Sequence, residues 1–216
     1  MCCDAVSELV IAIDGPAGSG KSTVSRLIAE RLGIPHLDTG AFYRTATLAV
    51  LDDGVDPGNP EGVLDVVKTM DMEIGDATVL LEGRDVTRAI RSASVSDQVS
   101  VVSAHPAVRT ILVDAQRRWV EERGGSCVAE GRDIGTVVFP QADLKIYLDA
   151  NPDVRAARRA EEMPDDPNAG ADLERRDRFD SSRTASPLAV ADDAHIVDTS
   201  RLSIDEVVGR IVDMVD

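Results

Sequence analysis

Eight consecutive residues, Gly15, Pro16, Ala17, Gly18, Ser19, Gly20, Lys21 and Ser22, have the composition and spacing of a loop that holds a polyphosphate. They fit G-x-x-x-x-G-K-[ST] in full, with an apolar run (Leu9 to Ile13) before them and an amphipathic segment (Thr23 to Leu32) after them. Glycines let the backbone turn successive N–H groups onto an anion, and the following helix N-terminus adds partial positive charge. Lys21 can then lie across the β- and γ-phosphates of ATP, and the Ser22 hydroxyl can hold Mg²⁺ together with phosphate oxygens and water. ATP is accordingly assigned to the whole run from Gly15 to Thr23. The alternative reading is a tight strand-to-helix turn whose lysine is ordinary surface charge.

A second concentration of chemistry is the set Arg132, Asp133, Arg155, Arg158, Arg159, Arg175, Arg176, Asp180 and Arg183, in a chain whose net charge is −16. Arg176, Asp180 and Arg183 are spaced four and three apart, so a helix would put them on one face. A phosphoryl group in flight spreads its charge over three oxygens, and a transferase with two phosphorylated substrates must neutralise more charge than one lysine can. A solvated helix surface laced with ion pairs would show the same run of charges. Lysine occurs only as Lys21, Lys68 and Lys145; the planar arginine fork suits bidentate grip on phosphate, although genome composition produces the same skew. No Asn-Lys pair is present, so the guanine reader of a GTP switch is missing. Nor is there a serine-histidine-aspartate arrangement or a cluster with metal-ligand spacing, and His36 reads as a strand-end histidine.

The bulk numbers bound the rest. At 216 residues, 43% hydrophobic and 29% charged, the chain reads as one soluble globular domain with a full core. Only 3% is aromatic, so that core is aliphatic. The excess of acid argues against a protein held on nucleic acid or an anionic membrane by a general positive field. Cys2, Cys3 and Cys127 have no metal-type spacing, and Cys127 reads as a buried small hydrophobe. No membrane span or signal peptide is expected, and a cytoplasmic location follows.

The elements that must position these residues alternate. A strand over 9–13 and a helix over 21–32, capped by Gly33, are followed by a short strand at 34–37 and a second helix that opens within Asp38 to Arg44. From Val63 to Val95 the pattern predicts short antiparallel strands inserted into the frame. Pro106 starts a helix with Val108, Ile111, Leu112, Ala115 and Trp119 on one face. Strands at Cys127–Ala129 and Leu144–Leu148, a helix from about Asp153, a break over Met163–Gly170 that suits a mobile loop, and a helix over Leu173–Arg183 follow. A strand at Ala194–Val197 precedes a last helix with a Ser203/Glu206 capping box. This is an α/β pattern: a parallel central sheet with helices on both faces, whose ligands collect at the carboxyl ends of strands, where Gly15, Asp38, Gly131 and Asp149 fall.

Five segments, IDGPAGSGKST (13–23), LDTGAFYR (37–44), EGRDIGTVVFP (130–140), RDRFDSSR (176–183) and SPL (186–188), together resemble the bacterial cytidylate kinases. The resemblance runs in order over about residues 9 to 214. It implies the P-loop NTPase-type three-layer fold of nucleoside monophosphate kinases: a core (about 9–60, 101–155 and 184–216), a small antiparallel monophosphate-binding lobe (about 61–100) and a short lid (about 156–175). It implies transfer from ATP to CMP or dCMP with Mg²⁺, in pyrimidine nucleotide metabolism. By that resemblance Thr39, Tyr43 and Arg44 hold CMP, Ser100 and Arg109 sit at the base, and Arg132 and Asp133 lie near base and phosphate. Arg176 and Asp180 match ribose-side contacts, Arg183 a phosphate clamp, and Arg155, Arg158 and Arg159 the arginines that start the lid and face ATP. Lys21, Arg132, Arg158 and Arg183 are thereby the catalytic set. The chain departs from the family pattern over residues 160–173, which look shorter and carry Pro164, Pro167 and Gly170 where a helix is commoner.

Cytosine offers an amine donor where uracil offers a carbonyl, so an acceptor such as Asp133 or Ser100 rewards cytosine. A monomer is expected. Two other functions stay open at this point: another small-molecule kinase of the same fold, and a non-catalytic ATP-binding module.

Overall fold

The computed structural model describes residues 8–162, 169–183 and 186–215. Among them, a five-stranded parallel sheet has the order β2-β6-β1-β7-β8, built from β1 (Val10–Asp14), β2 (His36–Asp38), β6 (Cys127–Gly131), β7 (Leu144–Asp149) and β8 (His195–Asp198). β1 lies at its centre, with Ile11, Ala12 and Ile13 fully buried. A strand covered on both faces needs apolar residues without alternation, which is why Leu9 to Ile13 reads as a continuous run.

Helices cover both faces. Ile11, Ile13, Val128 and Ile146 pack with Val24 and Ile28 of α1 (Lys21–Leu32) and with Val208 and Ile211 of α8 (Ile204–Val212). Ala12, Leu37 and Ala129 point the other way, onto Phe42 and Ala46 of α2 (Thr39–Asp52) and Leu112 and Trp119 of α5 (Pro106–Glu121). The capping box at the start of α8 is present, with Glu206 N donating to Ser203 Oγ and Ser203 N to Glu206 Oε2.

The inserted segment differs from its expected form. An antiparallel sheet does exist, β3 (Met72–Ile74), β4 (Val79–Leu81) and β5 (Arg84–Asp85), but residues 60–69 form a helix, α3 (Pro60–Thr69). Its start signals are local: Asn59 accepts from Gly62 N and Pro60 takes the first turn. Val63 and Val67, four apart, are buried. A further helix, α4 (Ala93–Val102), occupies a stretch rich in serine and valine that has weak helical preference of its own. Ser92 caps it, and burial of Val95, Val99 and Val102 against its neighbours holds it.

α6 (Pro152–Glu162) and α7 (Ala169–Ser182) follow β7, so the second arginine-rich helix begins four residues before its expected start at Leu173. The expected break over Met163–Gly170 falls largely outside the described residues. No helix among the described residues is long and apolar enough to cross a membrane.

Candidate active site

The glycine loop joins β1 to α1 and is shaped by contacts that exclude side chains. A Cβ at Gly15 would stand 2.1 Å from the carbonyl oxygen of Leu148 on β7. One at Gly18, whose φ is +72°, would stand 2.9 Å from the carbonyl oxygen of Arg155. Gly20 caps α1 in the left-handed region, at φ 90°. Lys21 Nζ donates to the carbonyl of Pro16 at 2.7 Å, so the ammonium is folded over the loop it belongs to.

Beside the loop stands a carboxylate that the sequence alone did not single out. Glu130, buried on β6, accepts a 2.8 Å hydrogen bond from Ser22 Oγ through Oε2. Its other oxygen receives no hydrogen bond among the described residues and faces His36 Nε2 at 3.3 Å. β6 pairs with β1 in parallel register, Ile13 opposite Glu130, and that register carries the carboxylate to the start of α1. An acidic residue at the carboxyl end of the strand beside the loop strand is the signal that could have found it. Asp14, also buried, receives 2.8 Å hydrogen bonds from the N–H groups of Ile134 and Gly135. Burial outweighs those bonds and raises its carboxyl from 3.8 to about 6. The contact anchors a short π-type turn, Ile134–Val138, directly after Asp133.

A cavity of about 540 Å³ opens from the loop. Among the described residues, eight cationic and five anionic side chains line it, the reverse of the chain's overall balance, so the positive charge a phosphate ligand needs is local. The glycine loop and the start of α1 contribute Ala17, Gly18, Gly20, Lys21, Ser22 and Thr23, and α6 and α7 contribute Arg159 and Arg175. Thr39, Tyr43, Arg44, Ser100, Arg109, Arg132, Asp133, Asp180 and Arg183 line the remainder. Gly15, Pro16 and Ser19 complete the loop without lining the cavity. The side chain of Arg176 lies outside the described residues.

Among the lining residues is a buried ion pair between Arg109 of α5 and Asp133, side chains 5% and 6% exposed. Arg109 also donates to the carbonyl of Ser103 at 3.3 Å and lies 5.0 Å from the Tyr43 ring centroid. Burial pushes the Tyr43 phenol up to about 12, which keeps it protonated. Asp180 bridges two arginines, with Arg132 Nε at 3.2 Å and Arg183 NH2 at 3.4 Å. Arg183 donates further to Ser103 Oγ at 3.2 Å, and burial lowers its pKa. Arg44 is likewise lowered, chiefly by burial, and donates to Ser96 Oγ at 3.1 Å. Arg91, which sequence reasoning passed over, reaches the rim from the inserted segment and pairs with Asp38 at 3.0 Å.

Two arginines expected to face ATP phosphates, Arg155 and Arg158, do not line the cavity and bond to the protein itself. Arg155 is buried, donates to the carbonyls of Ala150 and Ala17 at 3.1 Å each, and is paired with Asp177. Arg158 donates to Thr199, at 3.1 Å to the hydroxyl and 2.8 Å to the carbonyl. The Thr199 hydroxyl in turn donates to the carbonyl of Ser19 at 3.2 Å, so Arg158 braces the loop through an intermediary.

A glycine phosphate loop at the end of a central parallel strand, opening into an arginine-rich cavity, defines a P-loop kinase. Gluconokinase from Sinorhizobium meliloti 1021 has the same fold, with a TM-score of 0.52 at 15% identity over 95% of this chain and 90% of that one. The family model for cytidylate kinase matches residues 11–216, and the chain belongs to that family. It is 52% identical over 216 residues to the cytidylate kinase of Rhodococcus opacus (strain B4), covering 95% of this chain and 94% of that one. To the cytidylate kinase of Mycobacterium leprae (strain Br4923) it is 48% identical, over 97% and 96% of the two chains.

Proposed function

We propose that this chain transfers the γ-phosphoryl group of ATP to CMP or dCMP, with the donor phosphates over the glycine loop and the acceptor nucleotide between Arg132 and the Arg109–Asp133 pair. The observation that carries this reading is that one cavity is lined both by Lys21 of the glycine loop and by Asp133. The acceptor is already an ionised phosphate, so in-line attack needs no general base and no covalent nucleophile. Lys21 spans the β- and γ-phosphates, and Arg132 and Arg183 neutralise charge on the acceptor and on the group in transit. Arg159, rather than Arg155 or Arg158, is the expected lid arginine that meets the donor. Arg176 stays assigned to the ribose side with Asp180.

Arg109 engages Oδ2 of Asp133, and the role proposed for this carboxylate is to accept from the cytosine amine. Uracil would bring a carbonyl to the same place and meet an oxygen. Thr39, whose hydroxyl donates to the Glu130 carbonyl at 2.6 Å, together with Tyr43 and Arg44, forms the wall against which CMP rests. The residues fit Mg²⁺: a hydroxyl and a carboxylate 2.8 Å apart, one carboxylate oxygen without a hydrogen bond, are hard oxygen donors of the kind that ion takes. Ser22 and Glu130 would hold it, and it would supply charge neutralisation at the phosphates.

The test is an ADP-release assay run side by side with CMP, dCMP, UMP, AMP and shikimate. CMP and dCMP should be phosphorylated, with kcat/KM for UMP lower by about 10-fold or more, a loss of the size expected for a mispaired polar group. Equal rates with UMP or AMP would overturn the base assignment, and nucleotide binding without ADP release would favour a non-catalytic module. Lys21→Ala should lower turnover by about 10²-fold or more; an unchanged kcat would sink the phosphate-loop assignment.

A further inference from the structure

Asp177, on the inner face of α7, joins three parts of the molecule that the reaction must keep in register. Its Oδ1 accepts from the backbone N–H of Ala17 in the glycine loop at 3.0 Å and from Arg132 NH1 at 3.3 Å, and its Oδ2 is paired with Arg155 of α6. Arg155 closes the circuit by donating to the carbonyl of Ala17 at 3.1 Å. One carboxylate, its side chain 14% exposed, thus ties loop, core arginine and lid helix together.

Arg132 is held at several points as a result. NH1 donates to the carbonyl of Gly15 at 2.9 Å and to Asp177, while Nε meets Asp180 at 3.2 Å. Asp177 and Asp180 are three apart on α7, so a single helix face presents both carboxylates to one guanidinium. A planar fork gripped at two of its nitrogens has lost its freedom to swing, which is the condition for stabilising a charge that exists only in transit.

Arg132 lines the cavity, whereas Asp177 and Arg155 do not. The carboxylate therefore stands behind the cavity wall and does not take the place of a bound phosphate. We infer that Asp177 is a positioning residue for phosphoryl transfer: it aligns Arg132 and docks the lid helices on the glycine loop, so that the transferring group meets fixed charge and little water. This inference rests on the proposed placement of Arg132 at the phosphates.

Asp177→Asn keeps the shape and one acceptor oxygen while removing the charge. With ATP and CMP, its kcat should fall about 10-fold or more, since a displacement of about 1 Å at a reacting centre costs up to about 10²-fold. KM for CMP should stay within about twofold, and ATP hydrolysed without CDP formation should take a larger share of the ADP released. Arg155→Gln cuts the same link from the other side and should reproduce the effect, and the double variant should be no worse than the poorer single one by more than about twofold. A kcat within twofold of the parent in both variants would overturn the inference. So would a loss of kcat matched by an equal loss of CMP affinity and of thermal midpoint, which is what a purely structural ion pair gives. Arg132→Met, assayed in parallel, separates the two levels: if it leaves kcat unchanged, the placement of Arg132 fails. If it is crippled while Asp177→Asn is not, only the positioning role fails.

Discussion

The ion pair between Arg109 and Asp133 allows a prediction with a magnitude attached. Both side chains are about 95% removed from solvent, and Arg109 otherwise has, among the described residues, a hydrogen bond to the Ser103 carbonyl at 3.3 Å and the Tyr43 ring. Asp133→Ala would leave a guanidinium charge in the interior with that one acceptor, and stranding one partner of a buried pair costs about 3–5 kcal/mol. For a chain of this size each kcal/mol moves the thermal midpoint by about 2–4 °C, so a drop of about 6–20 °C is expected. Removing both charges, as Arg109→Met with Asp133→Ala, should recover at least about half of that loss, because the penalty lies in the stranded charge more than in the missing attraction. Calorimetric melting of the nucleotide-free protein measures both. A single variant that melts within about 2 °C of the parent would refute the reasoning, since about 1 kcal/mol would then be all the pair contributes. A double variant no more stable than the single one would refute it equally. The same Asp133→Ala protein, assayed below its midpoint, should show a smaller preference for CMP over UMP; an unchanged ratio removes Asp133 from base recognition.

Arg183→Ala should lower kcat/KM for CMP by about 10²–10³-fold, the usual cost of one donor aimed at transition-state charge; a change under threefold in steady-state kinetics would take it out of the phosphate clamp. Glu130→Gln should raise the Mg²⁺ concentration needed for half-maximal rate, and a superimposable Mg²⁺ titration would leave Ser22 without its carboxylate partner in metal binding. Asp14 binds its proton more tightly folded, at about 6, than at the ordinary 3.8. Its contribution to stability is therefore full below about pH 4, is lost as the pH rises to about 6, and leaves a cost of about 3 kcal/mol at neutral pH. Asp14→Asn should accordingly lose less stability than the parent between those limits in urea unfolding, and parallel curves would exclude Asp14 from the titration.

Much of the frame was legible in the chain because it depends on short-range chemistry. β1 announced itself by an apolar run, α1 by its spacing and by Gly33, which caps it at φ 67°, and α8 by its capping box. The inserted segment was harder. Val63 and Val67 carry the β-branched residues that favour strands, yet Asn59 and Pro60 start a helix there and burial of that four-residue spacing completes it. α4 has even less local signal, and its valines become helical because neighbouring elements bury them.

The residue types able to handle a triphosphate, and the alternation of strand and helix that gathers them at one edge of a parallel sheet, were properties of the sequence alone, because loop chemistry and hydrophobic period are local. Which arginine meets which carboxylate was decided only in three dimensions. Arg109 takes Asp133 from 24 residues away and Ser22 meets Glu130 across 108, while Arg155 and Arg158 turn from the cavity to brace the loop. An arginine is long enough to reach several partners from one backbone position, so its choice is made by the packing of distant elements and leaves no trace in spacing.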